Sequence, residues 1–136
     1  YWAHWLNIGE KENVKLPSIY YVNWFRKDDN GQFVWPGFGE NSRVLEWVFN
    51  RCEGTAEAVE TPIGNLPTLD ALNFDGLALS DEAKAALLRV DIDGWLNEVP
   101  LIHEYYDKFG DRLPKALREQ VRELENRLEQ AKRNVA

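Results

Sequence analysis

Between Tyr21 and Trp47 the chain reads YVNWFRKDDNGQFVWPGFGENSRVLEW, and this stretch holds half of its six phenylalanines and half of its six tryptophans. Phe25, Phe33 and Phe38, with Trp24, Trp35 and Trp47, are threaded through an Asn30-Gly31 turn, a Pro36-Gly37 break and the start of a helix. So much rigid aromatic surface in a turn-rich segment admits two outcomes. In one, a hairpin packs on the helix as a small hydrophobic core. In the other, Phe25, Phe33 and Phe38 wall a slot for a planar heterocycle.

The turn decides which rings can meet. Ile19 to Arg26 is dense in β-branched and aromatic residues and reads as a strand, with Phe33 to Trp35 as its short antiparallel mate. A two-residue Asn30-Gly31 turn would pair Asp28 with Phe33 and put Phe25 and Phe33 on opposite faces of the ribbon. A type I turn with Gly31 left-handed in a bulge pairs Lys27 with Phe33 and Phe25 with Trp35, so that Phe25 and Phe33 share a face. Asp28 at the first turn position and Gly31 at the fourth favour the bulged form.

Helices dominate elsewhere. Tyr1, Trp2, Trp5 and Leu6 fall at helical spacing up to Gly9, and the lack of a residue to cap that helix, or of an initiator methionine, suggests an N-terminus cut from something longer. A helix from about Ser42 to Cys52, ending at Gly54, takes Asn41 as its N-cap. Val44, Leu45, Val48, Phe49 and Cys52 form its inward stripe, which makes Cys52 a small buried hydrophobe. Residues 55–79 lack steady periodicity and read as mostly irregular, with Thr68 starting a single turn at Leu69 to Leu72. Ser80 caps a short helix, with Asp81 and Glu82 in its first turn. Asp91 caps the next, whose Ile92, Trp95, Leu96, Val99, Ile102, Tyr106 and Phe109 keep helical spacing to Gly110, bent at Pro100. Pro114 opens the last helix, whose apolar stripe of Leu117, Val121, Leu124, Leu128 and Ala131 marks it as a docking helix. The fold class is α+β: predominantly helical, with an aromatic β-hairpin.

Composition narrows the function classes. The chain has 136 residues, enough for one domain with a real core. A net charge of -7 disfavours nucleic acid as a partner, because that affinity rests on cations neutralising phosphates. No apolar run approaches the length of a membrane span, so no membrane partner and a cytoplasmic setting are expected. With a single cysteine, Cys52, and two distant histidines, His4 and His103, there is no internal disulfide and no spacing for a zinc site. Both histidines fall on helices and read as structural, and the pairs Asp28/Asp29 and Asp91/Asp93 read as turn and cap residues.

Neither a Gly-x-x-x-x-Gly-Lys-Ser/Thr phosphate loop nor a Gly-x-Gly-x-x-Gly fingerprint is present. Stacking on the phenylalanines would hold a base without choosing it. Choice could come from the helix start, where unpaired backbone N–H groups near Glu40 to Arg43 form a donor cluster. Such donors favour guanine, whose O6 accepts, over adenine, whose amino group donates. Asn41 alone would discriminate poorly, since its amide can present either end.

These residues resemble a known family. Asn23-Trp24-Phe25-Arg26, Gly31, Phe33 and the run from Trp35 through Pro36-Gly37-Phe38-Gly39-Glu40-Asn41-Ser42-Arg43 to Leu45 are similar, nearly residue for residue, to the guanine-binding segment of GTP-dependent phosphoenolpyruvate carboxykinases. The resemblance extends to His4-Trp5-Leu6, Thr61-Pro62-Ile63-Gly64, Trp95 with Glu98-Val99, and Leu113-Pro114. It implies a C-terminal part, residues 1–136, of the nucleotide-binding domain of a larger α/β enzyme that converts oxaloacetate and GTP to phosphoenolpyruvate, CO2 and GDP in gluconeogenesis.

By the same resemblance, Phe25, Phe33 and Phe38 enclose guanine, Asn41 bonds its edge, and Phe38, Gly39, Glu40 and Asn41 form the contact loop. GTP/GDP, Mn2+ and Mg2+ are the expected cofactors. The phosphate loop, the reactive cysteine and the metal ligands belong to upstream regions, so no catalytic or metal-binding residue is assigned here and the isolated segment is expected to be inactive. The implied partners are guanine nucleotide and the remainder of the carboxykinase polypeptide. A different class of function, a non-catalytic structural or interaction module that associates, even with itself, through exposed helix faces, is the alternative.

Overall fold

Asp91 shows how local chemistry starts a helix that packs against a distant one. Its carboxylate accepts from the Gly94 backbone N–H at 3.0 Å and caps a helix over Ile92–Asp107. A Cβ on Gly94 would lie 2.5 Å from that carboxylate, so the glycine provides the clearance the cap needs. In this computed structural model, which describes residues 1–135, the helices are α1 (Trp2–Gly9), α2 (Asn41–Cys52), α3 (Asp81–Leu88), α4 (Ile92–Asp107) and α5 (Lys115–Val135). One antiparallel ladder accompanies them, β1 (Val59–Thr61) with β2 (Gly64–Leu66), in the register Val59↔Leu66, Glu60↔Asn65 and Thr61↔Gly64. The chain divides into two compact units, Tyr1–Pro17 with the segment from Asp91 onward, and Ser18–Val90, where one domain was expected from length.

In the first unit α4 and α5 form an antiparallel hairpin. Lys132 meets Asp93 at 2.6 Å and Arg118 meets Asp107 at 3.1 Å, so each end of α4 is tied to the opposite end of α5. Between these ties the apolar stripes face each other: Val99, Val121 and Leu128 are buried, with Leu113 buried in the connection. The expected α5 stripe is borne out. Helix α4 runs unbroken through Pro100, as one helix. It stops at Asp107 rather than Gly110, where Gly110–Arg112 forms a 3-10 turn. Trp2 of α1 meets Phe109 edge-on at 4.6 Å and Tyr106 at 6.1 Å, which seats α1 on the end of α4.

The second unit departs further from expectation. Ser80 does cap α3, accepting from the Ala83 N–H, and Thr68 precedes a 3-10 turn at Leu69–Ala71. The Glu82 carboxyl is held below its ordinary value by hydrogen bonds from its own backbone N–H and from Ser80. Its contribution to stability is therefore present above the ordinary glutamate range and lost as pH falls through the depressed value. Residues 55–79 are mostly irregular, as expected, but they also contain β1 and β2, which were not expected. Strands of three residues are too short for a periodic signal.

Helix α2 begins at Asn41, with Glu40 as its N-cap residue and no side-chain cap bond, so Asn41 is not the cap. Its buried residue is Trp47, whose indole N–H donates to the Glu57 carbonyl at 3.1 Å. Val44 and Val48 are half-buried, while Leu45, Phe49 and Cys52 are exposed, which corrects the expected stripe. Cys52 is thus not a buried hydrophobe: its thiol lies 3.7 Å from the Tyr20 hydroxyl, and this contact pushes the Tyr20 phenol above its ordinary value.

Leu128 is fully buried where α5 meets α4. Replacing it with alanine should lower unfolding free energy by about 2–5 kcal/mol in chemical denaturation. A loss under about 1 kcal/mol would mean that the helical hairpin is not the core of its unit.

Candidate functional site

The aromatic segment is held by its turn, not by strands. Gly31 N–H donates to the Asp28 carbonyl at 3.0 Å, closing a four-residue turn in which Gly31 takes φ +78°, a left-handed conformation that glycine adopts without strain. The Asp28 carboxylate accepts from the backbone N–H groups of Asn30 and Gln32, both at 2.9 Å. Asp28 N–H donates to the Gln32 carbonyl and Val34 N–H to the Arg26 carbonyl, which makes Lys27↔Phe33 a bridge with no hydrogen bond between its own two residues. This is the bulged register. The strands expected over Ile19 to Arg26 and Phe33 to Trp35 do not form around it; one isolated bridge replaces the aromatic β-hairpin. A second turn, with the Asn23 side chain accepting from Phe25 N–H at 3.0 Å, interrupts the first strand.

The register sorts the rings. Val34 and Trp35 are buried, and Trp24 lies 6.4 Å from Trp35, forming a floor. Phe25 and Phe33 meet at 6.1 Å and 63°, and remain 72% and 59% exposed. They share a face, as the bulged turn requires, and they are not core. The Lys27 ammonium sits 5.1 Å from the centre of the Phe33 ring. Arg26 anchors the pair from behind. Its guanidinium donates to the carbonyls of Leu87, at 3.2 Å, and Arg89, at 2.8 Å, where α3 ends. Cations suit that position because the last carbonyls of a helix lack partners.

Phe38 opens a 3-10 turn, Phe38–Glu40, that runs directly into α2. Its ring is 91% exposed and makes no ring contact with Phe25 or Phe33 among the described residues. Of the donor cluster expected from Glu40 to Arg43, two members are already engaged: Glu40 N–H donates to Gly37 and Asn41 N–H to Phe38. The Glu40 carboxylate pairs with Arg43 at 2.6 Å. Asn41 accepts from the Trp35 indole N–H at 2.8 Å.

Trp35 and Arg26 are the residues that sequence reasoning undervalued. An arginine beside a turn carries no local sign of a distant helix end, whereas the Trp35-to-Asn41 spacing of six residues across a Pro-Gly break was a usable hint. Arg43 also reaches Asn73, donating to its backbone and side-chain oxygens at 3.0 and 3.1 Å. It borders a cleft of about 500 Å³ along α2, lined by Trp47, Asn50, Leu72 and Phe74 among others. No phenylalanine of the expected slot lines this cleft. Among the described residues no cluster of His, Cys, Asp and Glu could hold a metal ion, and no helix is long and apolar enough to cross a membrane.

Comparison with known proteins gives the family. The model described as the phosphoenolpyruvate carboxykinase C-terminal P-loop domain, of the GTP type, matches residues 1–127. The chain belongs to the GTP-dependent phosphoenolpyruvate carboxykinase family. Its relatives include the phosphoenolpyruvate carboxykinase [GTP] of Chlamydia abortus, 51% identical over 129 residues that cover 94% of this chain and 21% of the relative. The protein of that name from Treponema pallidum strain Nichols is 51% identical over 130 residues, with the same two shares. That from Renibacterium salmoninarum is 47% identical over 129 residues, again 94% and 21%. The chain therefore spans about a fifth of the length of these carboxykinases.

The exposure of the carboxykinase segment's phenylalanines separates a slot from a core. Phe25→Ala and Phe33→Ala should each change stability by only about 0.5 kcal/mol or less, as exposed sites do. Trp35→Ala, in the floor, should cost about 3–5 kcal/mol. Equal losses at all three in thermal denaturation would return the rings to the core.

Proposed function

We propose that this chain is the guanine-binding C-terminal segment of a GTP-dependent phosphoenolpyruvate carboxykinase, within the nucleotide-binding domain of a larger α/β enzyme. That enzyme is a decarboxylating lyase, which turns oxaloacetate and GTP into phosphoenolpyruvate, CO2 and GDP in gluconeogenesis, in the cytoplasm. The observation that carries the proposal is the exposed Phe25–Phe33 pair beside half-buried Trp24 and buried Trp35, in a chain that matches this family over residues 1–127. Flat rings left open to water on a rigid support suit a flat heterocycle.

Phe25 and Phe33 give one wall of the slot, and Phe38 closes over the base. Gly39, Glu40 and Asn41 carry the contact loop into α2, with Glu40 braced by Arg43 and Asn41 bonding the guanine edge. The described residues do not fit a metal, so the Mn2+ and Mg2+ of the reaction are assigned to ligands outside this chain and no step is derived through them here. The segment alone is inactive. Its exposed α2 residues, Leu45 and Phe49, favour a protein partner, and the remainder of the carboxykinase polypeptide is the one proposed.

That same exposed face supports a second reading, a non-catalytic module that associates through its helices. Sedimentation of the isolated segment with and without GTP distinguishes the two: nucleotide-independent association favours the module.

In the full-length enzyme Phe38→Ala should weaken GTP binding by about 1–3 kcal/mol, measured by titration calorimetry. Unchanged affinity would count against the assigned slot. Asn41→Ala should narrow the preference for GTP over ATP in steady-state kinetics, and an undiminished preference would move the choice of base to other donors.

A further inference from the structure

Asn41 is ambiguous on its own. A carboxamide has an acceptor oxygen and a two-donor amino end, and half a turn exchanges them. Here one end is committed. The Trp35 indole N–H lies 2.8 Å from the Asn41 carboxamide, and indole nitrogen is a donor and nothing else, so its partner has to be Oδ1. Trp35 is 7% exposed and flanked by Trp24, so the indole is not free to turn away. The amino end, Nδ2, has no protein partner among the described residues, and Asn41 is half-buried at the start of α2, three residues after Phe38.

We propose that Trp35 is a specificity-determining positioning residue: by holding Oδ1 it presents Nδ2, a hydrogen-bond donor, to the purine edge and so selects 6-oxopurine over 6-aminopurine nucleotides. The inference rests on the guanine-binding reading above and supplies what that reading lacks, a reason why one asparagine discriminates. Guanine carries an acceptor at O6 where adenine carries an amino donor. A donor fixed against that amino group forms no bond, and both groups lose their water when the site closes. An amide free to rotate would serve either base. Trp35 acts through Asn41 and need not touch the nucleotide.

The test uses the full-length enzyme. Trp35→Phe keeps a ring in the floor and removes the donor. The GTP-to-ATP ratio of kcat/KM should fall about tenfold, the worth of one oriented hydrogen bond, with kcat for GTP little changed. A role confined to folding would lower activity with both nucleotides and leave the ratio intact, and an intact ratio overturns the proposal. Asn41→Asp gives a second measurement that does not disturb the floor. The carboxylate can still accept from Trp35, but it offers the base an acceptor where the amide offers a donor, so the ratio should move toward ATP; a preserved GTP preference overturns the proposal equally. Phe25→Ala separates the levels of inference. If it leaves GTP affinity unchanged, the slot itself is wrong. If it weakens GTP and ATP alike while Trp35→Phe leaves their ratio untouched, the slot stands and the role of Trp35 falls.

Discussion

The left-handed backbone at Gly31 is the constraint on which the aromatic segment depends. It closes the turn that begins at Asp28, and with it the bridge between Lys27 and Phe33. A register shifted by one residue would exchange the two faces of the ribbon. Trp35 would then turn toward water and the phenylalanine pair would break. Because very little regular sheet supports this register, side chains have to hold it: Asp28 from within the turn, Arg26 from the end of α3, and Trp35 from the start of α2. Each of these ties uses a backbone or side-chain group left without a partner by its own element, so the aromatic turn and the two helix ends complete one another.

Much of this was legible in the sequence, and the failures have a common cause. Ser80, Asp91 and Pro114 mark helix starts through chemistry confined to a few neighbours, and those helices begin as expected. The stripes of α4 and α5 were legible because each helix supplies the other's partner within the chain. Asn41 has the chemistry of an N-cap, but Trp35 claims its oxygen from six residues away, and a tertiary bond overrides a local preference. The stripe of α2 failed differently. Periodicity shows that a helix has an apolar edge, not what covers it, and Leu45 and Phe49 are exposed here. The ladder of β1 and β2 was missed because three residues on a side cannot establish an alternation.

The recognised family motif and the physical reading also divide the labour unevenly. Resemblance identifies the phenylalanines, Gly39, Glu40 and Asn41 together, as a string. The structure separates them by what each already does. Glu40 is engaged with Arg43, the N–H groups of Glu40 and Asn41 are engaged within the 3-10 turn, and the two rings of the Phe25–Phe33 pair stand open. The donor cluster expected from sequence thereby narrows, and in the proposed guanine site the weight of discrimination shifts from the backbone toward the Asn41 side chain.

In the proposed guanine site, affinity and choice come from different kinds of contact. Ring faces attract any base, because every base has a π-face, and the energy varies little among purines. Edge contacts distinguish bases, yet only when their polarity is fixed in advance, since an adaptable group re-pairs with the wrong base at little cost. An arrangement that binds firmly and still discriminates needs both, on supports that do not adjust to one another. Here the rings stand on a turn anchored to α3, and the amide stands at the head of α2, pinned by an indole beneath it. On the proposed reading, motion that loosened the turn would weaken binding of either nucleotide, whereas loss of the indole bond would let the edge contact change sign.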